Sequence, residues 1–162
     1  MRSGPSSSRW ASRTTSGASS KRHTCVRRRI AHLCLANWIY KVPFHPLNFA
    51  PLLLGSHLVS SIGGGGQVRV RISEVEAYKG SDDPASHAFR GRTRRNGSMF
   101  ERPGTLYVYR SYGIHWCANV AAGPEGVGWG ILFRGGEVVD GLGVARARRG
   151  RADELANGPG KL

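Results

Sequence analysis

Gln67-Val68-Arg69-Val70-Arg71-Ile72-Ser73-Glu74-Val75-Glu76-Ala77-Tyr78 opens with a strict alternation of apolar and polar side chains. Successive side chains of a β-strand point to opposite faces, so Val68, Val70 and Ile72 form an inward set. Arg69, Arg71 and Ser73 form the outward one. Extending the inward parity reaches Glu74, Glu76 and Tyr78, so two carboxylates follow the core set to the same side. Acids are seldom buried without a partner. Three readings stay open: the acids line a functional cavity, the strand ends near Ser73 and leaves them solvated, or one pairs with an arginine.

Working outward from this strand, the preceding Phe49, Leu52 and Leu53 have helical spacing, and Gly55 is a helix stop. His57–Ser60 starts a strand, and Gly63-Gly64-Gly65-Gly66 turns it back onto Gln67. No GK[ST] follows these glycines, so they are not a phosphate loop. On the far side, Asp82-Asp83-Pro84 signals a turn or helix start. His87 comes next, on its own more often a hydrogen-bonded surface histidine than a catalyst. Arg90, Arg92, Arg94 and Arg95 make a basic loop ending in Asn96-Gly97, suited either to phosphate contact or to solvation. Gly104–Arg110 and Ile114–Ala121 read as two strands joined at Ser111-Tyr112-Gly113, with Tyr107 and Tyr109 on one face. At this tight turn Tyr112 is either an exposed wedge or a ring folded back onto the sheet. Asn119 on the second strand needs hydrogen-bond partners if buried. Gly130–Arg134 is a further apolar strand ending at Arg134, and Leu142–Leu155 is helical and rich in Arg. The pattern predicts a mixed α+β fold: one compact domain on a curved, largely antiparallel sheet with flanking helices.

The chain has 162 residues, 24 Lys+Arg and 10 Asp+Glu, for a formal charge of +14. The excess is uneven. Residues 1–73 carry 11 Lys+Arg and no acid, whereas residues 74–162 carry 13 Lys+Arg against all 10 acids. Such a chain attracts polyanions, although a basic arm accounts for much of the total. Residues 1–29 are dominated by Ser and Arg and read as disordered, as a DNA-binding arm, or as an organellar transit peptide. Residues 30–44 add a short apolar stretch that can pack as a helix. No run of about 18 apolar residues is present to span a membrane. Cys25, Cys34 and Cys117 are too few and scattered for a disulfide framework or zinc site and are expected as reduced thiols inside a cell. Zinc-deaminase, HExxH and Walker patterns are absent. Aromatic residues with a basic surface suit a stacked or extruded nucleobase.

Several blocks carry a family resemblance. They are Ser73-Glu74-Val75-Glu76-Ala77-Tyr78 with His87 nine positions on, Arg95-Asn96-Gly97-Ser98-Met99-Phe100, and Gly104 through Gly113. Ala118-Asn119-Val120, Ile131-Leu132-Phe133-Arg134 and Gly158-Pro159-Gly160-Lys161-Leu162 continue in order. Together they resemble the alkyladenine (3-methyladenine) DNA glycosylase family over residues 46–162, leaving residues 1–45 as an unmatched extension. The resemblance implies a monofunctional base-excision repair enzyme that flips a damaged purine out of duplex DNA and hydrolyses its N-glycosidic bond. It implies Glu76 as the base that activates water, with Arg134 near that water and the DNA backbone. Tyr78, His87 and Tyr109 would sandwich the extruded base, and Asn119 would crowd the exocyclic amine of normal guanine. Tyr112 would intercalate, with Arg94, Arg95 and Met99 on the DNA-contacting side. Glu74 would be a supporting acid. No lysine nucleophile, cofactor, metal or membrane is implied, and a monomer acting with DNA inside the cell is expected.

Two departures stand out. Family chains run on past the Gly158–Leu162 motif, so the resemblance implies a C-terminally incomplete, poorly stable domain. Gly135-Gly136-Glu137 replaces the usual Ala-x-Glu-Pro and loosens the turn after Arg134. The alternatives are a non-catalytic DNA-binding remnant, or a hydrolase of another glycoside using Glu74 and Glu76, which as strand residues two apart stand about 7 Å from one another.

Overall fold

The computed structural model describes residues 45–62, 65–150 and 155–162. Expectations for residues 1–44 and for Gly63-Gly64 lie outside the described residues. Helix α1 (Pro46–Leu53) opens on Pro46 in its first turn, where the missing N–H costs nothing. Its chain turns away at Gly55, which has φ +78°. Then come β1 (His57–Ser60), β2 (Val68–Tyr78), β3 (Leu106–Ser111), β4 (His115–Ala121), β5 (Gly130–Asp140) and helix α2 (Leu142–Arg149). The strands form one antiparallel sheet in the order β1-β2-β5-β4-β3. With the two α-helices among the described residues this is the expected α+β class. Among the described residues no helix is long and apolar enough to cross a membrane.

The sheet is covered on two sides by different kinds of structure. One face packs Ile72, Val75, Ala77, Val120, Ile131 and Phe133 against Phe49 and Leu53 of α1. Burial of these side chains is the main stabilising term. On the other face the long connection between β2 and β3, with 3-10 turns at Gly80–Asp82 and Gly97–Phe100, lays Ala88, Met99 and Phe100 over Tyr107 and Tyr109. The two ends of this connection are tied down by Asp and Asn side chains. Asp83 accepts hydrogen bonds from the Lys79 and Ala85 amides, which is the turn predicted from Asp-Pro.

Three expectations need correction. Val68, Val70 and Ile72 are buried as the alternation required, but the parity does not continue. Ser73 is an extra residue on β2 and Arg134 an extra residue on β5: Ile72 pairs with Gly136, Glu74 with Gly135, and Val75 with Phe133. These offsetting bulges put Ile72, Val75 and Ala77 on the core face and transfer Glu76 and Tyr78 to the opposite one. Second, β5 does not end at Arg134 but runs through Gly135-Gly136 to Asp140. A Cβ on Gly136 would clash with Val70 Cγ1 and stand 2.8 Å from the Arg71 carbonyl oxygen. The glycine is there for close approach rather than to break the strand. Third, α2 ends at Arg149 because Gly150 takes a left-handed cap at φ +68°; residues 151–154 of the longer expected helix lie outside the described residues.

Candidate active site

Residues directly opposite one another in a sheet share a face. Glu76 pairs with Leu132, Leu132 with Asn119, and Asn119 with Tyr107. One row across three interfaces therefore carries a carboxylate, an amide and a phenol on the face away from α1. The neighbouring positions Tyr78 and Tyr109 extend it. The β2–β3 connection closes over this row and leaves a cavity lined by Tyr78, Ala85, His87, Met99, Tyr107, Tyr109 and Asn119. It holds about 260 Å³ including its open mouth.

The rings form one contiguous wall. His87 meets Tyr109 edge to face at 4.4 Å, and Tyr107 stacks on Tyr109 at 5.4 Å. The His87 Nδ1 and the Tyr107 hydroxyl share a hydrogen bond of 3.0 Å. Burial, helped by the Arg95 charge, lowers the His87 pKa, so the imidazole is neutral at pH 7. Burial raises the phenols of Tyr107 and Tyr109. Tyr78 is pushed up to about 12, by burial first and then by a hydrogen bond to the Glu76 carboxylate. The wall is thus neutral and electron-rich, a surface that attracts a flat cation.

Glu76 stands at the edge of this wall, not inside it, its side chain 40 % exposed. It is tied to Arg134, whose Nη1 donates to Oε2 at 2.5 Å. The Nε of the same guanidinium donates to Glu74 Oε1 at 2.8 Å. The reading in which an acid pairs with an arginine is the one realised, and for both acids at once. The two carboxylates converge on one cation, which is not the arrangement of an acid–base pair flanking a glycoside.

Of the remaining expected site residues, Asn119 is buried and its Nδ2 donates to the Tyr107 carbonyl at 3.3 Å. Tyr112 is 94 % exposed at the β3–β4 turn. Arg94 and Arg95 are exposed, and Arg95 Nη2 reaches the Arg110 carbonyl at 3.3 Å. Met99, expected on the DNA-contacting side, is instead 2 % exposed and forms part of the cavity wall. Two residues escaped sequence reasoning. Tyr107 lines the cavity and holds His87, a role its shared parity with Tyr109 could have suggested. Asn96, seen only as the end of a basic loop, is buried; its Nδ2 donates to the carbonyls of His87 at 2.8 Å and Gly91 at 3.0 Å. It fixes the loop that carries His87.

Comparison with known proteins identifies a family. The family model described as Methylpurine-DNA glycosylase (MPG) matches residues 41–162. Curated proteins that carry the provisional name 3-methyladenine DNA glycosylase are similar to the chain. One from Rhodococcus jostii is 53% identical over 125 residues, covering 72% of this chain and 54% of its own length. One from Nocardia farcinica is 54% identical over 125 residues, covering 72% and 57%. One from Streptomyces avermitilis is 50% identical over 119 residues, covering 72% and 55%. The chain spans about half the length of the curated relatives it matches. On the match over residues 41–162 and these identities, the chain belongs to the methylpurine-DNA glycosylase family.

Proposed function

We propose that the chain is a base-excision DNA glycosylase that hydrolyses the N-glycosidic bond of an alkylated or otherwise damaged purine flipped out of duplex DNA. The observation that carries this reading is the Glu76 carboxylate standing at the edge of a neutral, ring-lined cavity. Glu76 orients and deprotonates the attacking water. Its charge also stabilises the oxocarbenium-like sugar as the bond to the base breaks. Tyr78, His87 and Tyr109 receive the base, with Tyr107 and Met99 completing the walls. A ring alkylated on nitrogen is cationic, so it is both attracted to these faces and a better leaving group. Asn119 opposes the extra amine of guanine by clash and unpaired polar groups. Tyr112 enters the duplex and fills the space the base has left. Arg94 and Arg95 contact phosphate.

The test is incubation with a duplex carrying hypoxanthine or 1,N6-ethenoadenine. The monofunctional reading predicts strand scission at the lesion only after heating with alkali. Scission before alkali contradicts it. Tight, salt-dependent binding with no abasic site formed supports a non-catalytic DNA-binding protein instead.

A further inference from the structure

Glu74 lies outside the cavity, yet it shares an arginine with the residue proposed to activate water. The sharing is built into the sheet. Arg134 is the unpaired residue of the β5 bulge and Ser73 that of the β2 bulge, and between them Glu74 stands opposite Gly135. A bulge re-aims a side chain. Here it turns Arg134 so that its Nε meets Glu74 and its Nη1 meets Glu76. A Cβ on Gly135 would make only ordinary van der Waals contact with Glu74, at 3.4 Å from its Oε2, so the grip is set by the bulge and not by the missing side chain. The neighbouring Gly136 amide donates to the Ala156 carbonyl at 2.9 Å, which pins the strand just beyond the bulge.

We propose that Glu74 is a positioning residue for the water-activating carboxylate, a proposal that rests on the glycosylase reading of Glu76. It acts in two ways. A guanidinium held at one nitrogen can swing about its long side chain; held at Nε as well, its plane is fixed and Nη1 stays on one oxygen of Glu76. The remaining lone pairs of that carboxylate are then free to face water. Glu74 also divides the Arg134 charge. An Arg134–Glu76 pair alone would be neutral and would give a developing sugar cation little to lean on. Two carboxylates on one guanidinium leave a net negative charge at the same spot.

The experiment is a double-mutant cycle in the 162-residue chain, measuring single-turnover excision and lesion-duplex affinity for Glu74→Gln, Arg134→Gln and the pair. The expected result is a loss of about tenfold in rate for Glu74→Gln with affinity held within about twofold, and no further loss when Arg134→Gln is already present. Glu74→Asp should recover part of the rate. A wild-type rate in Glu74→Gln, or an equal loss with and without Arg134, overturns the proposal. A second readout needs no turnover: the Arg134 Nε–H resonance in the DNA-free protein. It should be resolved in the wild type and lost in Glu74→Ala. An unchanged resonance overturns the anchor. If the wild-type chain excises nothing, the glycosylase reading fails, and this resonance alone decides whether Glu74 grips Arg134.

Discussion

Tyr112 and Gly113 occupy the two central positions of the β3–β4 turn, at φ +47° and +71°. The Ile114 amide donates back to the Ser111 carbonyl at 3.1 Å. Two positive φ values define a turn that ordinarily takes Asn-Gly. A tyrosine there is strained, by about 1–3 kcal/mol, and its ring gains nothing from packing. Strain kept with full exposure fits a side chain held out for a partner. Tyr112→Asn should therefore raise the melting temperature while weakening lesion excision, read by calorimetry and by single-turnover assay; a stabilised variant with undiminished excision would contradict the wedge. His87 makes a pH prediction. Its pKa in the folded chain lies below the ordinary 6.5 because it is buried and faces Arg95. Between that lowered value and 6.5 the unfolded chain binds more protons than the folded one, so stability rises with pH there and is lost on acidification. Below that lowered value the imidazole of the folded chain is protonated and repels a cationic base. Once the pH drops below that lowered value, excision of 3-methyladenine should fall more steeply than excision of neutral hypoxanthine, and His87→Gln should remove that difference. Parallel pH profiles for the two lesions would count against a neutral His87 in the wall.

At the scale of elements, the paired bulges of β2 and β5 decide what the active face contains. Without them the alternation begun at Val68 would send Glu76 to the α1 side. This is why the strand itself was legible and its outcome was not. Val68, Val70 and Ile72 declare a buried face through local periodicity, but a register shift is a property of two strands and leaves no mark on one. Consecutive glycines at 135 and 136 read as a strand end because glycine is weak in strands; the reason for Gly136 is the close approach of Val70 and the Arg71 carbonyl, which appears only on pairing. Asn96 was hidden likewise, since its partners at His87 and Gly91 are carbonyls of a loop with no periodicity. The glycine contact predicts that Gly136→Ala, forced against Val70 and the Arg71 carbonyl, costs about 1–3 kcal/mol by overpacking. Chemical denaturation measures it. It should also uncouple Arg134 from Glu76, so a soluble variant of wild-type stability and activity would show that the bulge does not set the site.

Across the whole molecule the sheet divides labour between its faces. One side is a conventional apolar core under α1. The other holds a carboxylate, four rings or ring-bearing residues and a buried amide under a loop weighted with arginine. The antiparallel α+β architecture could be read from the alternation and turn signals of the chain, whereas the cavity residues were named only by the family resemblance. Tyr78, His87, Tyr109 and Asn119 were marked by their match to family motifs, and the geometry brings them together. What could not be read was their exact company: Tyr107 behind His87, Met99 in the wall, and Glu74 on the same guanidinium as Glu76. The central claim is that the Glu76 carboxylate performs the water chemistry for a base held in this cavity. Single-turnover excision of hypoxanthine by wild-type protein and Glu76→Gln, with affinity for the lesion duplex measured in parallel, tests it most directly. The prediction is a rate lower by about 10²–10⁴-fold at unchanged affinity, whereas equal rates would place the chemistry on another group.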